Sequence, residues 1–263
     1  MIGLFIGENK LPLEILKSLK KKKIKYFIID LSKNNKFKKD KNSYFINIGK
    51  FGKILELIKS KKCKTVLFAV NIIKQRISKL KLDLKGIYYI PRIIKASKLG
   101  DAAILKELIN ILSENKIKVI KLNTYNPELT LKRGCYTKLK PSGSDLITIR
   151  RGIQILNKSN SFNHVQALVI NNQKIVSFEK RKGTKDMLKS LRKNNLQNKL
   201  LLKMPKSKQD LRVDLPTIGL DTLKDCKKAN ITGIVIKAGQ NIFLDKQEGL
   251  KFANKNNIFV LAK

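Results

Sequence analysis

The stretch Val66-Leu67-Phe68-Ala69-Val70 decides how the first half of this chain is interpreted. All five residues are apolar, with no alternation between apolar and polar positions. A continuous apolar run of this length is typical of a strand in a parallel sheet, because helices cover both faces of such a sheet. We therefore predict a strand of a parallel sheet at 66–70.

The segments on either side of this run alternate between strand-like and helix-like patterns. Further strands are predicted at Ile2–Ile6, Ile24–Ile29, Tyr44–Ile48 and Val119–Leu122. Helices are predicted at Leu11–Leu19, from about Phe51 to Lys59, and at Ala102–Leu112 with Asp101 as its N-cap. The repeated strand–helix order implies an open parallel sheet.

The second half of the chain predicts a separate α/β domain. The stretch Asn123–Pro141 has two prolines, one glycine and little periodicity, so it is interpreted as a link. We predict an N-terminal domain at 1–125, a linker at 126–140 and a C-terminal domain at 141–263. The C-terminal domain is expected to contain a hairpin at 165–178, strands at 200–204, 234–236 and 259–261, and helices at 144–156, 185–193, 222–229 and 246–254.

The composition is strongly basic. The chain has 263 residues, 58 of them basic and 19 acidic, which gives a formal net charge of +39. Such a balance suggests nucleic acid or an anionic membrane surface as a partner. However, only 8 of the basic residues are arginines, and the chain has no tryptophan. Nucleic-acid surfaces favour arginine and aromatic stacking platforms, so we interpret most lysines as solvated and keep a basic nucleic-acid-binding protein as the alternative.

Cysteine usage and hydropathy suggest a cytoplasmic protein. The three cysteines are far apart and form no CxxC pair, which suits a reducing compartment. No apolar stretch reaches the roughly 18–20 residues that span a bilayer. A further alternative is peripheral binding to an anionic membrane leaflet, to which the lysines would be attracted.

The segment from Gln209 to Gly219 carries the chemistry of interest. It places Asp210, Arg212 and Asp214 at alternate positions with apolar residues between them. In an extended strand these three side chains share one face. Two carboxylates suit a divalent metal or an activated water, and an arginine suits a phosphate. The alternative is a set of exposed ion pairs, which contribute about 0–1 kcal/mol.

Two glycine-containing segments could bind anions. Gly7 follows the first strand, where a glycine lets a nucleotide approach the backbone or forms a structural turn. Gly183 and Thr184 precede a predicted helix and follow Glu179, so their amides form either an anion site or an ordinary cap.

The segment Lys203–Gly219 resembles the signature of the LpxI-type UDP-2,3-diacylglucosamine pyrophosphatases. Weaker similarities run along nearly the whole chain, including Gly49-Lys-Phe-Gly52-Lys53 and Ala238-Gly239. The resemblance implies an N-terminal Rossmann-like domain and a C-terminal domain. It also implies hydrolysis of the substrate diphosphate to UMP and 2,3-diacylglucosamine 1-phosphate, a step of lipid A synthesis in Gram-negative bacteria. The expected location is cytoplasmic, peripheral to the inner membrane. The expected cofactor is Mg²⁺ or Mn²⁺, and the resemblance leaves open whether the protein is a homodimer.

The resemblance also implies roles for individual residues, and the family's essential aspartate matches Asp214. The expected catalytic residues are Asp214, Asp210 and Arg212, and the expected metal ligands are Asp214, Asp210 and Glu179. The expected substrate-binding residues are Gln209, Thr217, Gly183, Thr184, Gln166, Lys203, Asn71 and Gly7. The chain departs from the family pattern at Lys182 and Lys185, where acids are expected, at Val70, where glycine is expected, and at Lys237, where an acid is expected. A member that binds the lipid without efficient turnover is therefore a third possibility.

Overall fold

The computed structural model describes residues 1–8, 10–70, 80–159, 165–180, 182–206 and 210–263. The chain divides into two compact units. The N-terminal unit contains Met1–Asn126 together with Asp210–Asp214, and the C-terminal unit contains the remaining residues from Pro127 onwards. Within the described residues, every helix is too short or too polar to cross a bilayer.

The N-terminal unit is built on a five-stranded parallel sheet in the order β3-β2-β1-β4-β5. Its strands are β1 Ile2–Ile6, β2 Tyr26–Asp30, β3 Ser43–Phe45, β4 Thr65–Ala69 and β5 Lys118–Val119. Its helices are α1 Leu11–Lys21, α2 Phe51–Ser60, α3 Leu84–Leu99 and α4 Asp101–Glu114. This order is that of a Rossmann-like sheet, so the predicted fold class is confirmed.

The apolar run at 66–70 forms β4 as predicted. Residues 66–69 are all buried, which means that both faces of this strand are covered. The ring of Phe68 stacks on that of Phe5 in β1, with centroids 4.5 Å apart. The central pair of strands thus lies in the middle of the core.

Several predicted element ends in this unit are wrong, including that of the strand predicted at 44–48, which ends at Phe45. Asp101 is the first residue of α4, and Gly100 takes the N-cap position with φ +109°, a conformation that glycine adopts without strain. The strand predicted at 119–122 ends at Val119, and a 3₁₀ turn begins at Leu122.

The glycines of the Gly49–Lys53 segment pack against the start of α3. The Asp83 carboxylate caps α3 by accepting the Gly86 N–H at 2.8 Å, and it also accepts the first-turn N–H groups of Gly52 and Lys53 in α2 at 3.1 and 3.0 Å. A Cβ on Gly86 would lie 2.2 Å from the Gly49 carbonyl oxygen. The start of α2 therefore binds an internal carboxylate, and the glycines allow the close approach.

The Asp83 carboxylate should make the free energy of unfolding depend on pH in the acid range. Partial burial raises the pKa of Asp83, but the three backbone N–H groups outweigh it and hold the pKa below its usual value. The stabilisation is complete above the unfolded-state pKa of about 3.9 and is lost as pH falls towards the folded-state pKa. Asp83→Asn keeps one acceptor oxygen but loses the negative charge and the acceptor for the Lys53 N–H, so it should lower the free energy of unfolding at pH 7 by about 1–2 kcal/mol. The same substitution should also make the free energy of unfolding depend less steeply on pH in the acid range.

Urea unfolding at pH 7 and below pH 4 measures both effects. Asp186→Asn, at an exposed aspartate, provides the control for the loss of one carboxylate. An Asp83→Asn protein with an unchanged pH profile would contradict the assignment.

The C-terminal unit contains a six-stranded mixed sheet in the order β6-β13-β11-β9-β7-β8 and a separate parallel pair, β10 with β12. The strands are β6 Gly134–Cys135, β7 Ala167–Asn171, β8 Lys174–Phe178, β9 Lys199–Lys203, β10 Thr217–Ile218, β11 Ile231–Ile236, β12 Ile242–Phe243 and β13 Phe259–Ala262. The helices are α5 Gly143–Ser159, α6 Thr184–Ser190, α7 Leu220–Lys228 and α8 Lys246–Lys255. The predicted hairpin is confirmed as β7 and β8, whereas β6 lies inside the segment that was predicted as a linker.

Candidate functional site

The segment Asp210–Asp214 forms a turn, so the predicted extended strand is wrong. The Asp210 carbonyl accepts hydrogen bonds from the N–H groups of Val213 at 3.1 Å and Asp214 at 3.0 Å. The second bond is an i to i+4 contact, the spacing of one α-helical turn. Positions 210 and 214 therefore lie one turn apart, and Arg212 is not aligned with them as it would be in a strand.

Burial of Val213 explains why the segment turns. This side chain is 7% exposed and belongs to the core of the N-terminal unit, where it shares a cluster with Phe5, Phe68 and Leu105. The turn lies close enough to α4 for the charge of Lys106 to act on Asp210. Because α4 leads directly into β5, its first turns lie towards the carboxyl ends of the parallel strands, where open α/β sheets bind ligands.

Asp210 and Arg212 form a bidentate ion pair inside the turn. The Arg212 Nη2 lies 2.6 Å from Asp210 Oδ2, and the Arg212 Nε lies 3.0 Å from Oδ1. The Arg212 guanidinium lowers the pKa of Asp210, and its backbone N–H adds to this effect, whereas partial burial opposes it. The same hydrogen bonds raise the pKa of Arg212. Both groups are thus ionised at neutral pH, and the Arg212 side chain as a whole is 42% exposed.

The acidic residues fit a metal ion only if the substrate supplies further oxygen ligands. Among the described residues, no three His, Cys, Asp or Glu side chains come together as a metal cluster. Mg²⁺ is commonly held by one or two carboxylates together with substrate phosphates, and Asp214 suits such a role. Both Asp210 oxygens accept from Arg212, so Arg212 competes with any cation there. The assignments of Asp214, Asp210 and Glu179 as ligands stay predictions.

Gly7 lies at the carboxyl end of β1 in the N-terminal unit. Its N–H bonds the Ala69 carbonyl at 3.4 Å, and a Cβ at this position would be 2.9 Å from Val70 Cγ2. Packing against Val70 is therefore sufficient to explain the glycine, although its place beside the centre of the sheet suits ligand approach. The predicted substrate-binding residues Asn71 and Gln209 lie outside the described residues.

A hydrogen-bonded chain in the C-terminal unit joins three residues that were predicted for the site. The Lys203 Nζ donates to Thr184 Oγ1 at 2.7 Å, and Thr184 Oγ1 donates to Glu179 Oε1 at 2.6 Å. Lys203 is the last residue of β9, Thr184 is the first residue of α6, and Gly183 caps that helix with φ +87°. Lys203 is 8% exposed, so its charge is largely removed from water.

The local structure of this edge depends on Asn241, which the sequence did not indicate. Asn241 is fully buried; its Nδ2 donates to the Lys203 carbonyl at 3.1 Å, and its Oδ1 accepts from the Lys237 N–H at 3.0 Å. It thereby fixes the end of β9 to the end of β11. Gln166 lies beside the same strand end, because its carbonyl accepts from the Met204 N–H at 2.9 Å.

Thr184 also borders a groove of about 460 Å³ between α6 and α7. Besides Thr184, the groove is lined by Lys185, Leu188, Arg192, Asp221, Thr222, Lys224, Asp225 and Lys228. Basic residues outnumber acidic ones in this lining. Thr217, predicted to contact substrate, lies apart from this lining in β10, where its hydroxyl donates to the Leu215 carbonyl at 3.2 Å.

Comparison with known protein families covers both halves of the chain. Residues 1–129 match the LpxI N-terminal domain, and residues 132–261 match the LpxI C-terminal domain. The chain belongs to the LpxI family. It is 28% identical to the UDP-2,3-diacylglucosamine pyrophosphatase LpxI of Caulobacter vibrioides, over 82% of this chain and 80% of that protein. The resemblance seen in the sequence is thus confirmed.

The lysines found where acids were expected do not disturb the hydrogen bonds described above for the C-terminal unit. Lys182 and Lys185 flank Gly183 and Thr184, and both are exposed. The hydrogen bonds that link Glu179, Thr184 and Lys203 use neither lysine. Lys237 contributes only its backbone N–H to the bond with Asn241. These lysines change the charge around the chain of hydrogen bonds without replacing any of its members.

Proposed function

We propose that this LpxI-family chain hydrolyses the diphosphate bond of UDP-2,3-diacylglucosamine and releases UMP and 2,3-diacylglucosamine 1-phosphate. The observation that carries the proposal is that both domains of the family are matched, together covering nearly the whole chain. The named activity of the Caulobacter vibrioides relative supports the same reaction. We further propose that the reaction belongs to lipid A synthesis in a Gram-negative bacterium, at the cytoplasmic face of the inner membrane.

The described residues supply groups that this chemistry needs. A diphosphate is anionic, so attack by water requires positive charge near the phosphate oxygens. Arg212 is positioned by Asp210, and its side chain is 42% exposed and therefore accessible to a phosphate. In the C-terminal unit the Lys203 ammonium is oriented by Thr184. We assign to Asp214 the positioning of the attacking water or of a divalent ion.

Magnesium is proposed as the cofactor, with Asp214 as its carboxylate ligand. When bound, Mg²⁺ would neutralise charge on the diphosphate and lower the pKa of a coordinated water. Asp210 then acts mainly through Arg212, since both its oxygens are used in the ion pair.

A direct assay tests the proposal. The purified chain is incubated with UDP-2,3-diacylglucosamine and Mg²⁺, and UMP is measured with and without a chelator. We expect UMP release that stops on chelation and returns when Mg²⁺ or Mn²⁺ is added in excess. Absence of UMP under saturating substrate and metal would contradict the proposal, and retained substrate binding in that case would identify a member that binds without turnover.

A further inference from the structure

Helix α3 of the N-terminal unit presents large apolar side chains to solvent. Leu84 is 86% exposed, Ile87 57% and Tyr88 73%. Their spacing of i, i+3 and i+4 places them on one side of the helix, and the exposed Pro91 continues that side at i+7. We call the side formed by Leu84, Ile87, Tyr88 and Pro91 the α3 face.

The α3 face differs from the rest of the described surface. Of the 13 large hydrophobic side chains that are exposed in the described residues, five belong to α3. The other eight are spread over several elements of both units. Single exposed apolar residues are ordinary, whereas a cluster on one helix marks an interaction surface.

The charges around the α3 face are exclusively basic within the helix. The 16 residues of α3 include no acid. The exposed Lys95 and Lys98 follow on the same side of the helix one and two turns after Pro91, at i+4 and i+7. Arg92 is used elsewhere, because it pairs with Glu107 and Glu114 of α4. A helix side that presents apolar residues and then lysines can contact both the acyl boundary and the phosphates of an anionic membrane surface.

We propose that the α3 face docks on the surface of an anionic phospholipid bilayer, with Leu84, Ile87 and Tyr88 entering the interface and Lys95 and Lys98 meeting lipid phosphates. The inference deepens the proposed function, on which it rests in one respect: a diacylated substrate resides in a bilayer. A second copy of this chain is a poorer occupant. Each copy carries a formal net charge of +39, so two lysine-flanked faces would repel each other.

The absence of tryptophan from the chain allows a specific test. Tyr88→Trp places a single tryptophan on the α3 face, and Leu196→Trp places one at an exposed apolar position of the C-terminal unit as a control. Vesicles of phosphatidylglycerol and phosphatidylcholine, without substrate, are added to each protein. The tryptophan emission of the Tyr88→Trp protein should shift to shorter wavelength and be quenched by brominated acyl chains, whereas the control emission should not change.

Binding affinity supplies the second measurement. Replacing Leu84 and Ile87 together by serine should weaken binding to these vesicles about tenfold, because two interfacial apolar side chains are lost. These residues are exposed, so the variant should unfold as the wild type does. Vesicles of phosphatidylcholine alone should bind the wild type weakly.

Several outcomes would overturn the inference. The α3 face is not the docking surface if the chain sediments with anionic vesicles while Tyr88→Trp emission stays unchanged, since lysines elsewhere then account for binding. An emission shift without vesicles that grows with protein concentration would assign the face to self-association. Because no substrate is present, these outcomes are independent of whether the chain hydrolyses UDP-2,3-diacylglucosamine.

Discussion

Replacing Asp214 by asparagine should reduce UMP release at least about 100-fold, the scale of a lost general base or metal ligand. The substitution is isosteric and leaves the backbone bond from the Asp214 N–H to the Asp210 carbonyl intact. The turn should therefore keep its shape, and urea unfolding should change little. Glu56→Gln is the control, because Glu56 is an exposed carboxylate on α2 of the same unit and should leave turnover unchanged.

Asp210→Asn is a second variant whose turnover can be compared with that of Asp214→Asn. Asp210→Asn loses the charge that orients Arg212, yet the amide oxygen can still accept one hydrogen bond from the guanidinium. We therefore expect a smaller loss of turnover than for Asp214→Asn. Asp214→Asn with near-normal turnover, or with a smaller effect than Asp210→Asn, would contradict the proposed division of roles.

The main strands and most helices could be predicted because their patterns are local. The apolar run of β4 and the helical spacing of α2 and α8 each contain enough information within one segment. Helix α3 was not predicted, and its composition explains this. Apolar residues occur both on its outer face, as Leu84 and Tyr88, and on its half-buried side, as Ile93, so no clean amphipathic period marks it.

The Asp210–Asp214 segment shows the limit of pattern reasoning at the candidate site. Its alternation of charged and apolar residues fits a strand, but Val213 is buried in the core of the other sequence half and the backbone closes a turn. Tertiary packing therefore overrides the local preference. Asn241 could not be found from sequence either, since its amide bonds a carbonyl 38 positions away.

Lys203→Met is expected to reduce UMP release about 100-fold with a much smaller effect on stability. Lys203 is 8% exposed, and methionine preserves most of its volume while removing the ammonium that we assign to the phosphate. The Thr184 hydroxyl still donates to Glu179 in this variant and so keeps a hydrogen-bond partner. Methionine also removes the cost of keeping a largely buried ammonium out of water, which offsets part of the lost hydrogen bond to Thr184.

A second lysine on β9 provides the matched control. Lys199 is fully buried at the other end of the strand, about 13 Å from Lys203 for a strand of this length, and its Nζ donates to the Asn194 carbonyl at 2.7 Å. Lys199→Met leaves that carbonyl without its donor and should lower stability by about 1–3 kcal/mol while preserving the turnover of the folded protein. The two substitutions should therefore have different effects. Lys203→Met should lower turnover by destabilising the transition state, and Lys199→Met should lower the stability of the fold. If both variants lost activity only in proportion to the unfolded fraction, Lys203 would be a structural residue and the phosphate contact would have to come from other cations.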